Sequence, residues 1–365
     1  MALGETAGAE YLPSNYRFEI EKTIRQIKRR GSKKIALQFP EGIIHLSTVI
    51  SDIIRCSTEV ESVTILSDVV YGACCIDDIS SHLIGCDLLV HYGHSCLFEV
   101  PKCLVGVVYV FVEVSIDYAH CVDVALKHID CSNLSVLGTI QYSSVVRGVR
   151  KGIEEARTKL LGSAEGEGVP PTEVKIPRVM PLSVGEVLGC TSPKVQTENV
   201  LFIAEGRFHL ESVMIQNPTR KYYRYCPATK TLKTEQHDYA RFLSIRKERQ
   251  AASRAAKSYT VIFGTLGRQG GMLILQRVLA SLVERGAPHT TVYLSEIDNE
   301  TIASIDKDSA VIEIACPRIA IDWGSTFTLP IITPFEYFTM IQGIEEYPMD
   351  YYKKEGRAQP WQMLR

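Results

Sequence analysis

The stretch TVIFGTLGRQGGMLILQRVLASLVER, residues 260–285, decides the fold of this chain. It begins with an apolar, β-branched run, Thr260–Phe263, which predicts a buried strand. A glycine-rich loop follows and opens directly into a helix-like segment, Gly271–Arg285. A strand that passes through a tight loop into a helix is the repeating unit of parallel α/β architecture.

The same alternation extends over the rest of the chain. The predicted strands are continuous apolar runs, as expected when helices cover both faces of a parallel sheet. They are Lys34–Gln38, Val63–Leu66, Leu88–His91, Val107–Phe111, Leu134–Ile140, Val200–Ala204, Thr291–Leu294 and Ala310–Ile314. The other predicted helices are Phe18–Arg29, Ile43–Arg55, Val145–Leu161 and a charged connector, Glu235–Lys257. We therefore predict an α/β fold of three tandem related domains with parallel sheets flanked by helices, at residues 1–128, 129–234 and 235–365.

Composition limits the possible functions. The chain has 365 residues, 45% of them hydrophobic, and a formal net charge of −2, so a sequence-independent grip on nucleic acid is not expected. We find no signal-peptide pattern and no apolar run of membrane-spanning length, which predicts a cytoplasmic protein that does not enter a membrane. Eleven cysteines without a secretion signal indicate reduced thiols, some of them metal ligands, rather than a disulfide framework.

Three predicted loops carry a cysteine beside small or turn-forming residues. They read Tyr71-Gly72-Ala73-Cys74, Leu188-Gly189-Cys190-Thr191 and Ile314-Ala315-Cys316-Pro317. The cysteines are 116 and 126 residues apart, which is about one domain length each time and suggests one ligand per unit. Because ligands of α/β units collect where strands end, these thiols are candidates for a shared metal site. Thiolates bind an iron–sulfur cluster or zinc, and spacing alone leaves both possible.

Other residues compete for such a site. Cys75 adjoins Cys74, and in an extended segment we expect only one of the two to point inward. The segment His91-Tyr92-Gly93-His94-Ser95-Cys96 reads either as a His/His/Cys metal clip or as a turn with hydrogen-bonded histidines. The remaining candidates sit in or beside apolar segments and are predicted to serve in packing: Cys56, Cys86, Cys103, Cys121 and Cys131.

The glycine-rich loop is a candidate ligand site. Its spacing is GxxGxxG rather than the dinucleotide pattern, and a tight strand-to-helix turn explains it equally well. A helix N-terminus favours an anionic group, and Arg268 adds a cation. Asp322, beside Trp323, could hold an ammonium or a ribose, or could belong to a turn with a buried Trp anchor. The segment Gly206-Arg207-Phe208-His209 follows another predicted strand.

Taken together, the motifs resemble the first subunit of the eukaryotic 2-(3-amino-3-carboxypropyl)histidine synthases, which act in the first step of diphthamide biosynthesis. The motifs are YGACC-DD, HYGHSC, TIQY, LGCTSP, GRFHLESVMI-NP, GTLGRQG and ACPRIAIDWG, in order over about residues 10 to 352. The resemblance implies three α/β domains around a central [4Fe–4S] cluster, with Cys74, Cys190 and Cys316 as its ligands. It also implies radical transfer of the 3-amino-3-carboxypropyl group of S-adenosylmethionine to C2 of a histidine in translation elongation factor 2.

The resemblance further implies a heterodimer with a related second subunit and a small CSL-type electron-donor protein. We expect the S-adenosylmethionine contacts in the glycine-rich loop and after Cys316, on strand-end position alone: Gly264, Thr265, Gly267, Arg268, Gln269 and Asp322. The chain departs from the family at Tyr225-Cys226-Pro227, where an Asp usually precedes the Pro, and in its Gly/Pro/Glu-rich loop at 162–173. Two alternatives remain, a non-catalytic partner subunit and a zinc-dependent hydrolase built on His91, His94 and Cys96.

Overall fold

Three four-stranded sheets, each made from a consecutive part of the chain, form the framework of the protein. The structure is a computed structural model that describes residues 8–68, 72–162, 173–356 and 359–362. The predicted loop at 162–173 therefore lies, from residue 163 to 172, outside the described residues. Tyr71, the first residue of the Cys74 motif, also lies outside them.

The first unit is an all-parallel sheet with helices around it. Its elements in chain order are β1 (Tyr16–Arg17), α1 (Ile20–Arg30), β2 (Lys34–Gln38), α2 (Ser47–Ser57), β3 (Ser62–Leu66), α3 (Asp78–Leu83), β4 (Leu88–Tyr92), β5 (Gly106–Val110), β6 (Glu113–Val114) and α4 (Ala119–His128). The sheet order is β3-β2-β4-β5, and β1 pairs with β6 in a separate antiparallel ribbon.

The second unit adds an antiparallel edge. Its elements are β7 (Leu134–Gly138), α5 (Ser143–Gly162), β8 (Asn199–Ile203), α6 (Phe208–Gln216), β9 (Lys221–Cys226) and β10 (Thr231–Glu235). The order is β10-β9-β8-β7, with β10 antiparallel to β9. Parallel bridges from Ser135 to Lys175 and from Gly138 to Glu186 show that the intervening chain runs along the open side of β7 as a broken strand.

The third unit is again all parallel. It comprises α7 (Tyr239–Ala255), β11 (Ser258–Gly264), α8 (Met272–Glu284), β12 (His289–Leu294), α9 (Asn299–Ala303), β13 (Ser309–Ile314), β14 (Ile331–Ile332) and α10 (Pro334–Phe338). The order is β12-β11-β13-β14. The apolar face of α8 explains why this segment forms a packed helix, because Ile274, Leu275, Val278 and Leu282 are buried on one side of it. Each such side chain stabilises the fold by about 1.5–3 kcal/mol.

All three units share one strand order, in which the first strand lies between the second and the third. In the middle unit, the broken strand beside β7 takes the place of the second strand. Cys190 follows this broken strand, and Cys74 follows β3, which is the second strand of the first sheet. Cys316 instead follows a third strand, β13. Each unit thus supplies one motif cysteine, as predicted, but the third one does not come from the equivalent loop.

The predicted fold class is confirmed, and the predicted strands agree with the observed ones to within two residues at nearly every end. Three details were wrong. The connector helix begins at Tyr239 rather than Glu235, because the residues before it form the hairpin β9–β10, whose outer strand is largely solvent-facing. The middle sheet is therefore not purely parallel. The segment Glu41–Leu46 is a 3₁₀ helix that leads into α2. The residue boundaries of the three domains remain a prediction.

Candidate metal centre

Thiols from all three units lie at one site, where Cys190 is buried and Cys74 and Cys316 are half-buried. Side-chain hydrogen bonding to Cys75, burial, and the charges of Cys75, Cys316 and Cys190 all raise the pKa of the Cys74 thiol. Electrostatic interactions fall off with distance, so thiols that act on one another in this way lie close together. The sequence places Cys74, Cys190 and Cys316 more than a hundred residues apart, and the fold brings them to one place.

The chemistry of this donor set favours a cation. Burial raises the pKa of Cys190 to about 11, and burial together with the neighbouring thiols raises the pKa of Cys316 further. Neutral thiols become metal ligands only by losing their protons, so metal binding here is coupled to proton release. The described residues contain no preformed group of three His, Cys, Asp or Glu side chains that could hold a single metal ion. The assignment of Cys74, Cys190 and Cys316 as ligands therefore remains a prediction, supported by their mutual electrostatic interaction.

The expectation that only one of the two adjacent cysteines points inward is wrong. Cys75 raises the pKa of Cys74, Cys190 and Cys316 alike, so its side chain also faces the site. The reason is local geometry. Ala73–Cys75 form a turn of 3₁₀ helix, in which successive side chains are about 120° apart, whereas in an extended strand they oppose each other. The Cys75 sulfur also accepts a hydrogen bond of 3.3 Å from the amide nitrogen of Gln269.

Arg268 ties the third unit to the Cys74 loop of the first. Its guanidinium donates two hydrogen bonds, of 2.8 and 2.7 Å, to the two carboxylate oxygens of the buried Asp78. Its backbone N–H donates to the Cys74 carbonyl at 2.8 Å. Burial raises the pKa of Asp78, but Arg268 and the backbone N–H of Leu104 outweigh burial and leave it lowered. Such bidentate pairs fix geometry as well as adding energy, so the Cys74 loop is held in place from another unit.

Arg318 ties the Cys316 loop to the Cys190 loop. Its side chain is only 4% exposed, and it donates to the Gly189 carbonyl at 3.0 Å and to the Phe208 carbonyl at 2.9 Å. It also forms ion pairs with Glu211 at 2.8 Å and Asp322 at 2.9 Å. The guanidinium lies 4.1 Å from the centroid of the Phe208 ring. Its charge lowers the pKa of Cys190, against the larger effect of burial.

A third tie joins the first and second units. The Ser95 hydroxyl donates to the carboxylate of Glu186, which also accepts from the Ser183 backbone N–H at 2.9 Å. Burial raises the pKa of Glu186. Every pair of units is thus linked by a polar contact close to a candidate ligand loop.

The chain after α10 passes over the Cys190 loop, and we name Met349–Tyr352 the C-terminal strap. The Ser192 N–H donates to the Met349 carbonyl at 2.9 Å, and the Tyr351 N–H donates to the Cys190 carbonyl at 3.4 Å. The Tyr352 N–H donates to the Thr191 hydroxyl at 3.0 Å. The strap places Tyr352 at the thiol site.

The histidine segment forms an internal hydrogen-bond chain. The Gln38 amide is oriented by the Cys75 carbonyl, to which its nitrogen donates, and by the Asp77 N–H, which its oxygen accepts. That oxygen lies 2.7 Å from Nδ1 of His91, so Nδ1 carries the proton. Nε2 of His91 then accepts from Nδ1 of His94 at 3.2 Å, which leaves the lone pair of His94 on Nε2.

The same contacts decide between the two interpretations of this segment. Both ring nitrogens of His91 already bond to protein atoms, and the exposed Cys96 donates to the Phe98 carbonyl at 3.5 Å. A turn with hydrogen-bonded histidines is therefore correct, with Gly93 in the left-handed conformation at φ 82°. Among the described residues, no ligand set supports the metal-clip alternative or the zinc hydrolase built on it.

A cavity of about 370 Å³ lies between the first and second units. Its lining joins residues of the motifs HYGHSC, TIQY and GRFH, and it reaches Leu188, two residues before Cys190. The polar side chains in its wall include Tyr142, His94, Ser95, Glu186, Glu205 and His209. Burial lowers the pKa of His94 and of His209 to about 4, so both imidazoles are neutral at pH 7.

The predicted contacts for S-adenosylmethionine lie next to the thiols. The glycine-rich loop fits between the two cysteine loops, since a Cβ at Gly264 would lie 2.5 Å from Cβ of Ala315 and one at Gly267 would lie 2.7 Å from the backbone of Cys75. The Thr265 N–H donates to the Leu294 carbonyl at 2.8 Å. The loop is therefore more than a tight turn, although its role in binding remains a prediction.

The structure gives Arg268 and Asp322 partners within the protein. Arg268 is paired with Asp78, and Asp322 with Arg318. The alternative of a buried Trp anchor beside Asp322 is wrong, because Trp323 is 62% exposed. Among the cysteines assigned to packing, Cys86, Cys121 and Cys131 are buried, whereas Cys56 is exposed.

Sequence reasoning missed several residues of this site. Arg318 could have been found, since it follows Cys316 by two positions in the motif ACPR. Glu186 and Tyr352 carry no local signal, because their importance depends on contacts with distant parts of the chain.

Gly267 provides a first prediction. Gly267→Ala would place a methyl group against the Cys75 backbone at a φ of +55°, so it combines left-handed strain of about 1–2 kcal/mol with a clash at the cysteine loop. We expect a lower Tm and, if the thiols bind a metal, a reduced capacity for that metal. Gly286→Ala is the matched control, with φ +62° and nothing within 4 Å of the new methyl group. Equal Tm and equal metal content in the two variants would contradict the contact with Cys75.

The buried histidines provide a second prediction, on pH. His94 and His209 have pKa values of about 4 in the folded protein, against about 6.5 when unfolded. Between these two pKa values the unfolded chain binds more protons than the folded one. The contribution of each neutral histidine to the free energy of unfolding is therefore fully present above pH 6.5. It decreases by about 3 kcal/mol per histidine as the pH falls toward 4. We expect Tm to drop between pH 7 and 5. His209→Gln should flatten this slope, and His45→Gln, on the surface, should leave it unchanged.

The fold and the site together define a class: α/β proteins of three units whose cysteine loops meet at a shared centre. Among solved structures, the chain is similar to Dph2 from Pyrococcus horikoshii, described as containing a 4Fe-4S cluster, with a TM-score of 0.75 and 23% identity over 94% of this chain and 96% of that one. A second structure of Dph2 from the same organism gives a TM-score of 0.76. At this identity, the likeness shows the fold.

Residues 39–353 match the family described as "Putative diphthamide synthesis protein". The chain is also similar to proteins named 2-(3-amino-3-carboxypropyl)histidine synthase subunit 1. The relative from Aspergillus fumigatus is 40% identical over 98% of this chain and 80% of its own length, and the one from Mus musculus is 41% identical over 97% and 79%. This chain belongs to the diphthamide synthesis protein family. In the described part of the chain, no helix is long and apolar enough to cross a membrane.

Proposed function

We propose that this chain holds one [4Fe–4S] cluster on Cys74, Cys190 and Cys316 and transfers the 3-amino-3-carboxypropyl group of S-adenosylmethionine to C2 of a histidine in translation elongation factor 2. The observation that supports the proposal is that thiols from three units lie close together at one site. The relatives named as synthase subunit 1 support the choice of reaction.

The donor set fits such a cluster. Iron–sulfur clusters are bound by cysteine thiolates, and burial and hydrogen bonds to sulfur set their potential. Three of the four thiols here come from separate motifs, and the fourth, Cys75, already accepts a hydrogen bond from Gln269. Cys74, Cys190 and Cys316 would hold the group and would leave one of its irons available to the substrate. When bound, the cluster supplies the electron that cleaves a carbon–sulfur bond of S-adenosylmethionine.

The overall reaction is balanced without an external oxidant. One carbon–sulfur bond of S-adenosylmethionine breaks, a carbon–carbon bond forms at C2 of the imidazole, and methylthioadenosine leaves. The electron used for cleavage returns when the imidazole regains its aromatic ring, and the C2 proton passes to a base. We assign that base to Nε2 of His94, which lines the cavity and keeps its lone pair at pH 7.

The glycine-rich loop and Asp322 are proposed to hold the amino-acid and nucleoside parts of S-adenosylmethionine. Contact of the loop with Cys75 and Ala315 supports this placement. Arg268 would share its guanidinium between Asp78 and the substrate.

The family resemblance supports three further proposals: a heterodimer with a related second synthase subunit, electron delivery by a small CSL-type protein, and a cytoplasmic location. A non-catalytic role in the same complex is the second candidate function. The presence of all three cysteine motifs favours catalysis by this chain.

An anaerobic experiment tests the function. The purified chain is reconstituted with iron and sulfide, counted for both, reduced with dithionite and supplied with S-adenosylmethionine and elongation factor 2. We expect about four irons per chain, methylthioadenosine release and a modified histidine. Release by the partner subunit but not by this chain would favour the non-catalytic role. Zinc without iron would contradict the cluster.

A further inference from the structure

The side chain of Tyr352 has an unusual polar surrounding. Tyr352 is 1% exposed, and its hydroxyl makes no hydrogen bond of regular geometry with any described residue. A buried hydroxyl without a partner costs about 1–3 kcal/mol, so its position needs a compensating role.

The backbone fixes this hydroxyl in space. Tyr352 ends the C-terminal strap, where its N–H donates to the Thr191 hydroxyl and the preceding N–H donates to the Cys190 carbonyl. Asp350 pairs with Thr191 in an antiparallel bridge. The ring belongs to the same cluster of buried apolar side chains as Cys190, and Cys74 packs against this cluster. Tyr352 therefore stays at the site unless the strap detaches from the Cys190 loop.

The surroundings of the hydroxyl are the candidate ligands. Burial raises the pKa of Tyr352, and so do the charges of Cys74, Cys190 and Cys316, one from each unit. Cys74 also acts on it through a side-chain hydrogen bond. A phenol keeps its proton at neutral pH, so its hydroxyl is available as a donor. A thiolate is a stronger acceptor than a thiol, so metal binding that deprotonates Cys74 gives the hydroxyl a better partner.

We propose that Tyr352 is a positioning residue that donates its O–H to the Cys74 sulfur and thereby raises the reduction potential of the cluster. This inference rests on the proposed function, since it requires a cluster on Cys74, Cys190 and Cys316. Hydrogen bonds to the sulfurs stabilise the electron-rich reduced state, which is one way in which proteins set cluster potentials. The strap would thus couple the third unit to the redox properties of the centre.

Tyr352→Phe tests the assignment, because it removes the hydroxyl and keeps the ring. Tyr351→Phe is the matched control, since Tyr351 is adjacent, fully buried and has its hydroxyl 3.4 Å from that of Tyr347. Both variants are reconstituted anaerobically, and their iron content is measured. Each is then taken through a redox titration in which electron paramagnetic resonance monitors the amount of reduced cluster. The comparison is made at the potential where half of the wild-type cluster is reduced. At that potential we expect the ratio of reduced to oxidised cluster in Tyr352→Phe to be about fivefold lower than in the wild type, which corresponds to the net energy of one hydrogen bond.

A second substitution covers the case in which Tyr352→Phe does not hold a cluster. Replacing Tyr352 with 3-fluorotyrosine keeps the hydroxyl and makes it a stronger donor, so the potential should shift in the opposite direction, to a less negative value. Equal potentials in the wild type, the fluorinated protein and Tyr352→Phe would overturn the assignment. A wild type that binds no iron would instead contradict the proposed function.

Discussion

Cys316→Ser is expected to abolish cluster binding and with it the release of methylthioadenosine. Cys316 is the only motif cysteine from the third unit, and neither Cys74 nor Cys190 can replace it without moving a loop that another unit holds in place. Loss of a residue that merely supports a metal ligand costs 10–100-fold in affinity, so loss of a ligand should exceed about 100-fold. Iron and sulfide counts on the reconstituted protein and a methylthioadenosine assay measure both effects.

Cys56→Ser controls for handling and oxidation, because Cys56 is exposed and belongs to none of the cysteine motifs. The pair Cys74→Ser and Cys75→Ser decides which adjacent thiol is the ligand. If Cys74 is the ligand, Cys75→Ser keeps most of the iron and Cys74→Ser loses it. Full iron and full activity in Cys316→Ser would show that the three-cysteine centre is wrong.

Arg318→Met is expected to destabilise the protein and to reduce its iron content. Methionine keeps much of the side-chain volume but removes all of the hydrogen bonds. Asp322 then loses its cation, and Glu211 keeps only the ion pair with the more exposed Arg207. Breaking a buried ion pair from one side costs about 3–5 kcal/mol, and the lower end applies because Glu211 and Asp322 are partly exposed. Thermal unfolding of the apoprotein and iron uptake measure the two effects separately.

Arg207→Met is the matched control, because Arg207 also pairs with Glu211 but its side chain is 44% exposed. Surface pairs of this kind contribute about 0–1 kcal/mol, so its Tm should change little. Arg318→Lys keeps the charge but lacks the fork of donors that reaches two carbonyls and two carboxylates, so we expect only partial recovery. If Arg318→Met and Arg207→Met had the same Tm and the same iron uptake, Arg318 would not link the two loops.

The features that could be predicted from the sequence are local ones. Continuous apolar runs such as Lys34–Gln38 predicted buried parallel strands because burial on both faces requires them. The hairpin β9–β10 was missed because its outer strand is polar and pairs only at the edge of its sheet, where periodicity is weak. The inward orientation of Cys75 was missed because one turn of 3₁₀ helix leaves no pattern in three residues.

The sequence by itself determined the α/β class, the three cysteine motifs and the family, since each depends on neighbouring residues or on short motifs in a fixed order. Only the tertiary structure decided that the three thiols share one site, that Arg268 and Arg318 fasten their loops, and that Tyr352 reaches them from the end of the chain. Those contacts join residues far apart in the sequence, and they exist only because each unit buries its own apolar strands and thereby fixes where its loops lie.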